Sequence, residues 1–465
     1  MLNELIASLN DALYGYILII LLVLGGVYFT IRTRFAQFRL LGEQFRSVTE
    51  KADKGKVSSF QALMVSTASR VGTGNIIGVS TALCLGGFGS VFWMWVIAII
   101  GSASAFVEST LAQIYKKKSP EGSFGGPAYY IESATKKRWL STIFCVFLVF
   151  TYGFGFNMLA SYNLQSTFSV YSFYNPKITP WLIGLVTAVL VGYCLIGGRN
   201  RLISVTSFLV PIMGVIYILV ALIITFINAA QLPSIFREIF ANAFDLPAIF
   251  GGFSGSCVMF GIKRGLFSNE AGVGSAPNAS ASAEVSHPAK QGLVQVLSVF
   301  IDTLLVCSAT AFMCISSGIA PTKELSGAPY IQAALTKTLG VSGPVFITVA
   351  MILFAFTTLL GNLYYVDRAL PYLLHREPSR KLKRVWYIIA SILIFVGAGL
   401  NADLLWNVAD IAMGGMTLIN MPIIIYLGKY AFSALKDYEA KLKRGDEITF
   451  SVKDINLDID TEYWK

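Results

Sequence analysis

Val71-Gly72-Thr73-Gly74-Asn75 interrupts an apolar run from Phe60 to Leu85 that is otherwise long enough to form one uniform membrane helix. Two glycines around a threonine weaken the helix there and free main-chain N–H and C=O groups where lipid offers them no partner. Irregular backbone at that depth is tolerated where it lines a cavity or holds a ligand, which implies a transporter. Close helix packing is the alternative reading, because Gly74-x-x-x-Gly78 also fits a small-xxx-small seam.

The chain of 465 residues is 55% hydrophobic and 13% charged, outside the range of soluble domains, so the fold class is an all-α integral membrane protein. Eleven apolar windows recur, over residues 14–31, 59–85, 90–115, 140–170, 181–196, 203–228, 244–262 continuing irregularly to about 283, 291–317, 343–373, 385–400 and 404–428. The first lacks a basic n-region and a small-residue cleavage site, and reads as a retained span. A net charge of +10 does not call for nucleic acid, because 30 of the 36 Lys and Arg fall in alternate loops. Lys263, Arg264 and Lys290 are counted among these, and the other set of loops holds only Lys177, Arg237, Lys323 and Lys337. This asymmetry predicts the N-terminus outside, the C-terminus in the cytoplasm and the basic loops inside.

The six cysteines lie in or beside apolar segments and there are two histidines, so neither a disulfide framework nor a zinc site is expected. No GxSxG, nucleotide-binding loop or cofactor motif appears, which argues against an enzyme, and no carbonyl-filter motif favours a channel. A second interruption is read at Gly251-Gly252-Phe253-Ser254-Gly255 in the seventh window, which runs opposite to the second. The expected organisation is an N-terminal helix (1–32), two inverted five-helix units (57–228 and 229–428) with a site between their first helices, and a cytoplasmic tail (429–465). The tail reads as a solvated helix with a flexible end.

Several blocks carry a resemblance: Ser66 to Ile76, Phe92-Trp93-Met94-Trp95, Gly125 to Ile131, Lys263 to Pro277, His287 to Gly292 and Phe300-Ile301-Asp302-Thr303. Together they resemble the alanine-or-glycine:cation symporter family over nearly the whole chain to about residue 430. The resemblance implies a LeuT-type fold in the cytoplasmic membrane and sodium-coupled, sometimes proton-coupled, uptake of small neutral amino acids. The partners are then an amino acid, a sodium ion and the lipid bilayer, with no nucleic acid.

On that basis the amides of Thr73, Gly74 and Asn75, at the start of a half-helix, suit a substrate carboxylate, and Asn75 adds a side-chain donor. Gly251, Gly252 and Ser254 would turn carbonyls and a hydroxyl toward the ammonium, with Phe253 as a lid. Sodium would take the carbonyls of Ala68 and Val71 with the hydroxyls of Thr357 and Thr358, although paired threonines also bond back to their own helix. Thr358 also borders the substrate. Asn157 and Asn362 are further substrate contacts. Ala160 stands where many family members have glutamine, and Gly361-Asn362 where alanine transporters have glycine-tryptophan. Both changes remove bulk and predict a roomier pocket that takes serine or glutamine as well as alanine and glycine. Arg70, deep in its span, needs an acidic partner among Glu108, Glu270 and Asp302. Arg70 with Asp302 would form an inner gate or a static salt bridge. Gly122 to Tyr130 is marked by the resemblance without a chemical role.

Overall fold

The computed structural model describes residues 2–53, 55–119, 122–244, 256–455, 461, 463 and 464, and among them helices dominate. In chain order, α1 (Ser8–Arg32) is followed by a short amphipathic helix, α2 (Leu41–Val48). The opening run then forms two pieces, α3 (Ser59–Arg70) and α4 (Gly74–Gly86). A capping box starts α3: the Gln61 amide N–H donates to Ser58 Oγ at 3.2 Å, and the Ser58 N–H to Gln61 Oε1 at 3.0 Å. Next come α5 (Gly89–Ile114), a hairpin of β1 (Lys117–Ser119) and β2 (Gly122–Phe124), and α6 (Pro127–Thr135). They lead to α7 (Arg138–Ser166), α8 (Thr179–Ile196), α9 (Gly198–Ile227) and α10 (Leu232–Ala243). Beyond residues 245–255 lie α11 (Cys257–Asn269), the one-turn α12 (Pro277–Ser280) and α13 (Pro288–Ser316). The chain continues through α14 (Ala328–Leu339), α15 (Ser342–Leu374), α16 (Arg380–Gly397) and α17 (Ala402–Arg444).

Eight of these helices, α1, α5, α7, α8, α9, α13, α15 and α17, are long and apolar enough to cross a bilayer. The other three expected spans correspond to pieces that fail that criterion for visible reasons. The second is split at the break, the seventh falls partly outside the described residues, and α16 opens on Arg380, Lys381, Lys383 and Arg384. α5 is buried against α11, α13 and α1, while α3 lies against α9 and α15. Large apolar side chains on α8 and α9 point outward, as a lipid-facing surface requires.

Two expectations need correction. Lys263 and Arg264 do not belong to a loop, because both are buried inside α11 against Asp410 of α17. The described part of the tail is not a free end: Phe450, Ile455 and Trp464 are buried, and Trp464 Nε1 donates to the Gln113 carbonyl at 2.7 Å. Aromatic residues at the far end of a polar stretch supply the apolar area that holds it down. In the seventh segment an interruption follows Asn269, within the stretch read as continuing irregularly to about 283, while the Gly251–Gly255 interruption lies outside the described residues. Glu270, Gly272 and Gly274 there have φ of 53°, 85° and 89°, so the helix cannot continue, and Pro277 starts the next turn.

The stretch Gly122 to Tyr130 acquires a structural role. Ser123 Oγ donates to the Ala281 carbonyl at 2.9 Å, and Gly126, at φ 126°, lies so close to Asn278 that no side chain fits. The hairpin therefore buttresses the chain just beyond the second interruption.

Candidate substrate and cation site

At the first break, α3 ends at Arg70 and Val71 turns out of the helix (φ −75°, ψ 85°). The Gly72 N–H, which would cap the Ala68 carbonyl in a continuing helix, donates instead to Asn75 Oδ1 at 2.7 Å. The Asn75 N–H goes to the Gly72 carbonyl at 3.2 Å rather than to Val71. The carbonyls of Ala68 and Val71 are thus left without a donor among the described residues. Thr358 on α15 points its hydroxyl against Gly72, and this buried oxygen also has no hydrogen-bond partner. The approach depends on Gly361, where an added Cβ would lie 2.6 Å from the Ser69 amide nitrogen. Three unpartnered oxygens therefore gather beside the break, a donor set suited to a hard cation. The Thr357 hydroxyl lies within donating distance of the Leu353 and Phe354 carbonyls of its own helix and 3.4 Å from the Met213 sulfur, while Thr358 is the one set against Gly72.

Asn75 is oriented by chemistry. A backbone N–H can only donate, so its Oδ1 must face Gly72, and its Nδ2 then donates to Asp302 Oδ1 at 2.7 Å. Both ends of the side chain thus hold protein partners. Asp302 lies on a run of wide π turns, Phe300–Cys307, and also accepts from Ser268 at 2.9 Å and Thr303 at 2.7 Å. It makes no ion pair with Arg70, whose Nη1 donates to Gln295 Oε1 at 2.8 Å. Arg70 Nε and Nη2 are buried without partners, and the guanidinium stands within electrostatic reach of Glu108, Glu270 and Asp302 alike.

Glu270 joins the two interruptions. Ser69 Oγ donates to Glu270 Oε1 at 3.0 Å and Ser275 Oγ to Oε2 at 2.7 Å, so the end of α3 and the turn after α11 share one carboxylate. Asn362 lies 2.7 Å from Ser69 Oγ and 3.0 Å from Asn157 Oδ1, bringing together the two asparagines expected as substrate contacts. Asn163 Nδ2 donates to Thr73 Oγ1 at 3.1 Å. Ala160 is buried midway between Asn157 and Asn163 on the same face of α7. The amides of Thr73 and Gly74 have no acceptor among the described residues. Phe267 lies against Gly74, with Phe156 at 4.4 Å and Trp406 at 4.8 Å between ring centroids. Phe253, expected as a lid, lies with Gly251, Gly252 and Ser254 outside the described residues.

Above the aromatic layer is a cavity of about 540 Å³ lined by Ile77, Asn163, Arg264 and Trp406 among others. The opposite end is cross-tied among the described residues. Gln113 and Lys116 donate to the Ala283 carbonyl at 2.9 and 3.0 Å, and the Lys116 ammonium sits 3.8 Å from the Tyr463 ring.

Asp410, read from sequence as a charge without function, accepts from Arg264 Nη2 at 2.8 Å and Lys263 Nζ at 3.0 Å and is fully buried. The signal that could have found it was the Lys263-Arg264 doublet in a segment otherwise fit for the membrane interior, which demands an acid nearby.

Two helix interruptions that meet inside a bundle of apolar helices, beside a cavity reaching one end of the molecule, define a multi-pass membrane transporter. Comparison with known proteins narrows the class. The model of the "Sodium:alanine symporter family" matches residues 1–452, and the chain belongs to that family of sodium-coupled symporters. Among its relatives, a "Probable sodium/glutamine symporter GlnT" of Bacillus subtilis is 42% identical over 97% of this chain and 93% of its own length. The "Amino-acid carrier protein AlsT" of the same organism is also 42% identical, over 100% of this chain and 98% of its own. The "Sodium/alanine symporter AgcS" of Methanococcus maripaludis is 34% identical over 94% and 99% respectively.

Proposed function

We propose that the protein couples sodium entry to uptake of small neutral amino acids, among them alanine, glycine, serine and glutamine, across the cytoplasmic membrane. The observation that carries this reading is the meeting of the two breaks through Ser69, Glu270 and Ser275, beside three unpartnered oxygens. In this reading sodium binds the Ala68 and Val71 carbonyls and Thr358, while the substrate carboxylate takes the free amides of Thr73 and Gly74. Because both ligands use one break, sodium ordering the chain at Val71 and Gly72 favours the geometry that receives the carboxylate. Eleven crossings with the N-terminus outside, arranged as a LeuT-type inverted repeat over 57–228 and 229–428, would place the 540 Å³ cavity on the outer side. Alternating access then closes the aromatic layer and opens the end sealed by Gln113 and Lys116. Arg70 is the inner gate residue, with Glu108 and Glu270 sharing the part first given to Asp302.

The breadth of substrate follows from Ala160 and from the polar Asn157–Asn362 pair, and similarity to a protein named as a glutamine symporter supports it. A second reading, proton coupling, is favoured by three buried carboxylates gathered around one arginine. Concentrative uptake of labelled alanine into proteoliposomes should follow an imposed sodium gradient and stop when it is dissipated. Uptake driven equally by a proton gradient without sodium selects the second reading, and gradient-independent flux at channel rates rejects both. Competition by serine and glutamine should be strong; strict selectivity for glycine and alanine would reject the roomier pocket.

A further inference from the structure

The floor of the cavity carries more positive charge than its own counter-ion balances. Lys263 and Arg264 both lie on a single oxygen of Asp410, Oδ2, at 3.0 and 2.8 Å. Arg264 is 4% exposed, yet its Nε and Nη1 have no partner, and Asp410 Oδ1 has none either. Trp406 covers one face of the guanidinium at 4.1 Å, and Lys263, Arg264 and Trp406 all line the cavity. Two further acids, Asp11 and Asp403, line the same cavity but are exposed, so their field is weakened by water, though Asp11 stays within electrostatic reach of Lys263. A buried guanidinium with unused N–H donors strongly favours an acceptor that brings negative charge.

We propose that Arg264, assisted by Lys263, forms an anion subsite at the cavity floor that takes a small monocarboxylate in exchange for part of its contact with Asp410. The subsite lies on the other side of the Phe267 layer from the amides of Thr73 and Gly74. A carboxylate reaching it is held one step before the break, and closure of the aromatic layer would separate the two positions. That the carboxylate belongs to the transported amino acid rests on the function proposed above; the subsite itself does not.

The probe is propionate, which is alanine without its ammonium, titrated onto the full-length protein in lipid nanodiscs without sodium and read by calorimetry and by the thermal midpoint. Wild type should bind propionate. Arg264→Gln, which leaves Lys263 paired with Asp410, should bind it at least about tenfold more weakly, the loss typical of a charge-assisted hydrogen bond. Asp410→Asn should bind it about tenfold more tightly, because the competing carboxylate is gone, and its lowered thermal midpoint should recover as propionate is added. Misfolding cannot produce that gain. Equal propionate affinity in wild type and Arg264→Gln, or no tightening in Asp410→Asn, overturns the proposal. Binding of chloride but not propionate, with the same dependence on Arg264, assigns the site to an inorganic anion and overturns the carboxylate. If wild-type proteoliposomes show no gradient-driven uptake while propionate binding still depends on Arg264, the transport reading falls and the subsite stands.

Discussion

Gly72 has no side chain, and for that reason the Thr358 hydroxyl can reach the main chain at the break. Thr358→Val should raise the sodium concentration for half-maximal uptake about tenfold, the equivalent of ~1.4 kcal/mol. Thr357→Val should change it little, since that hydroxyl serves its own helix. Sodium-titrated alanine uptake in the two variants distinguishes them. Gly361→Ala drives a methyl toward the Ser69 nitrogen, and overpacking of this kind costs about 1–3 kcal/mol, visible as a lower thermal midpoint together with slower uptake. Ser69 poses a proton-counting question, because its one hydroxyl proton faces both Glu270 Oε1 and Asn362 Oδ1. Turning both asparagine amides over resolves it. Asn157 Nδ2 then donates to Asn362 Oδ1, Asn362 Nδ2 to Ser69 Oγ, and Ser69 to Glu270, so the polar wall becomes one directed chain. The types of these residues were legible in the sequence, but their pairing was not, since each bond joins positions far apart in the chain.

Among the elements, the first interruption could be read locally because glycines break an otherwise continuous apolar run. The interruption after Asn269 was less legible: Lys263 to Pro277 contains polar and charged residues that spoil its hydropathy, so the stretch was read only as continuing irregularly to about residue 283. The tail was misread for a related reason: its sparse aromatics have value only against a surface elsewhere in the chain. His287 shows how that surface is held. Its Nδ1 accepts the Ala289 N–H at 3.1 Å, so Nε2 carries the proton toward Asp437 at 3.1 Å, and the ring lies between Tyr438 and Phe450. Burial holds the imidazole below its ordinary value of 6.5. The stabilisation from this neutral form is therefore fully present above pH 6.5 and is lost as pH falls below it. Protection of the amides in residues 446–455, measured against the intrinsic exchange rate at each pH, should fall between pH 7 and 5 in wild type, and His287→Asn should flatten that dependence.

For the whole molecule, the proposed alternating access sets a cavity at one end against the ties of Gln113 and Lys116 to Ala283 at the other. Ser166 lines the cavity and is partly exposed, whereas Ser280 beyond the second break is fully buried. A membrane-impermeant thiol reagent added outside should modify Ser166→Cys, and sodium with alanine should protect it. Ser280→Cys should react in neither condition. Modification of Ser280→Cys but not Ser166→Cys by the outside reagent would reverse the assigned orientation.

Composition and hydropathy by themselves determined that this is a helical membrane protein, because crossing lipid leaves a signature in every window of about 20 residues. The first break and the family were likewise written locally, in short runs of glycine and in contiguous motifs. Tertiary structure alone decided that α11 stops at Asn269, that Glu270 ties the turn beyond it to the first break, and that Thr358 rather than Thr357 faces Gly72. It also decided that Asp410 is the acid shared by the basic pair on α11, with Arg264 146 positions away in the chain. Burial makes an unpaired charge costly wherever its partner lies in the sequence, so the need for a partner was readable, while its identity waited on the packing.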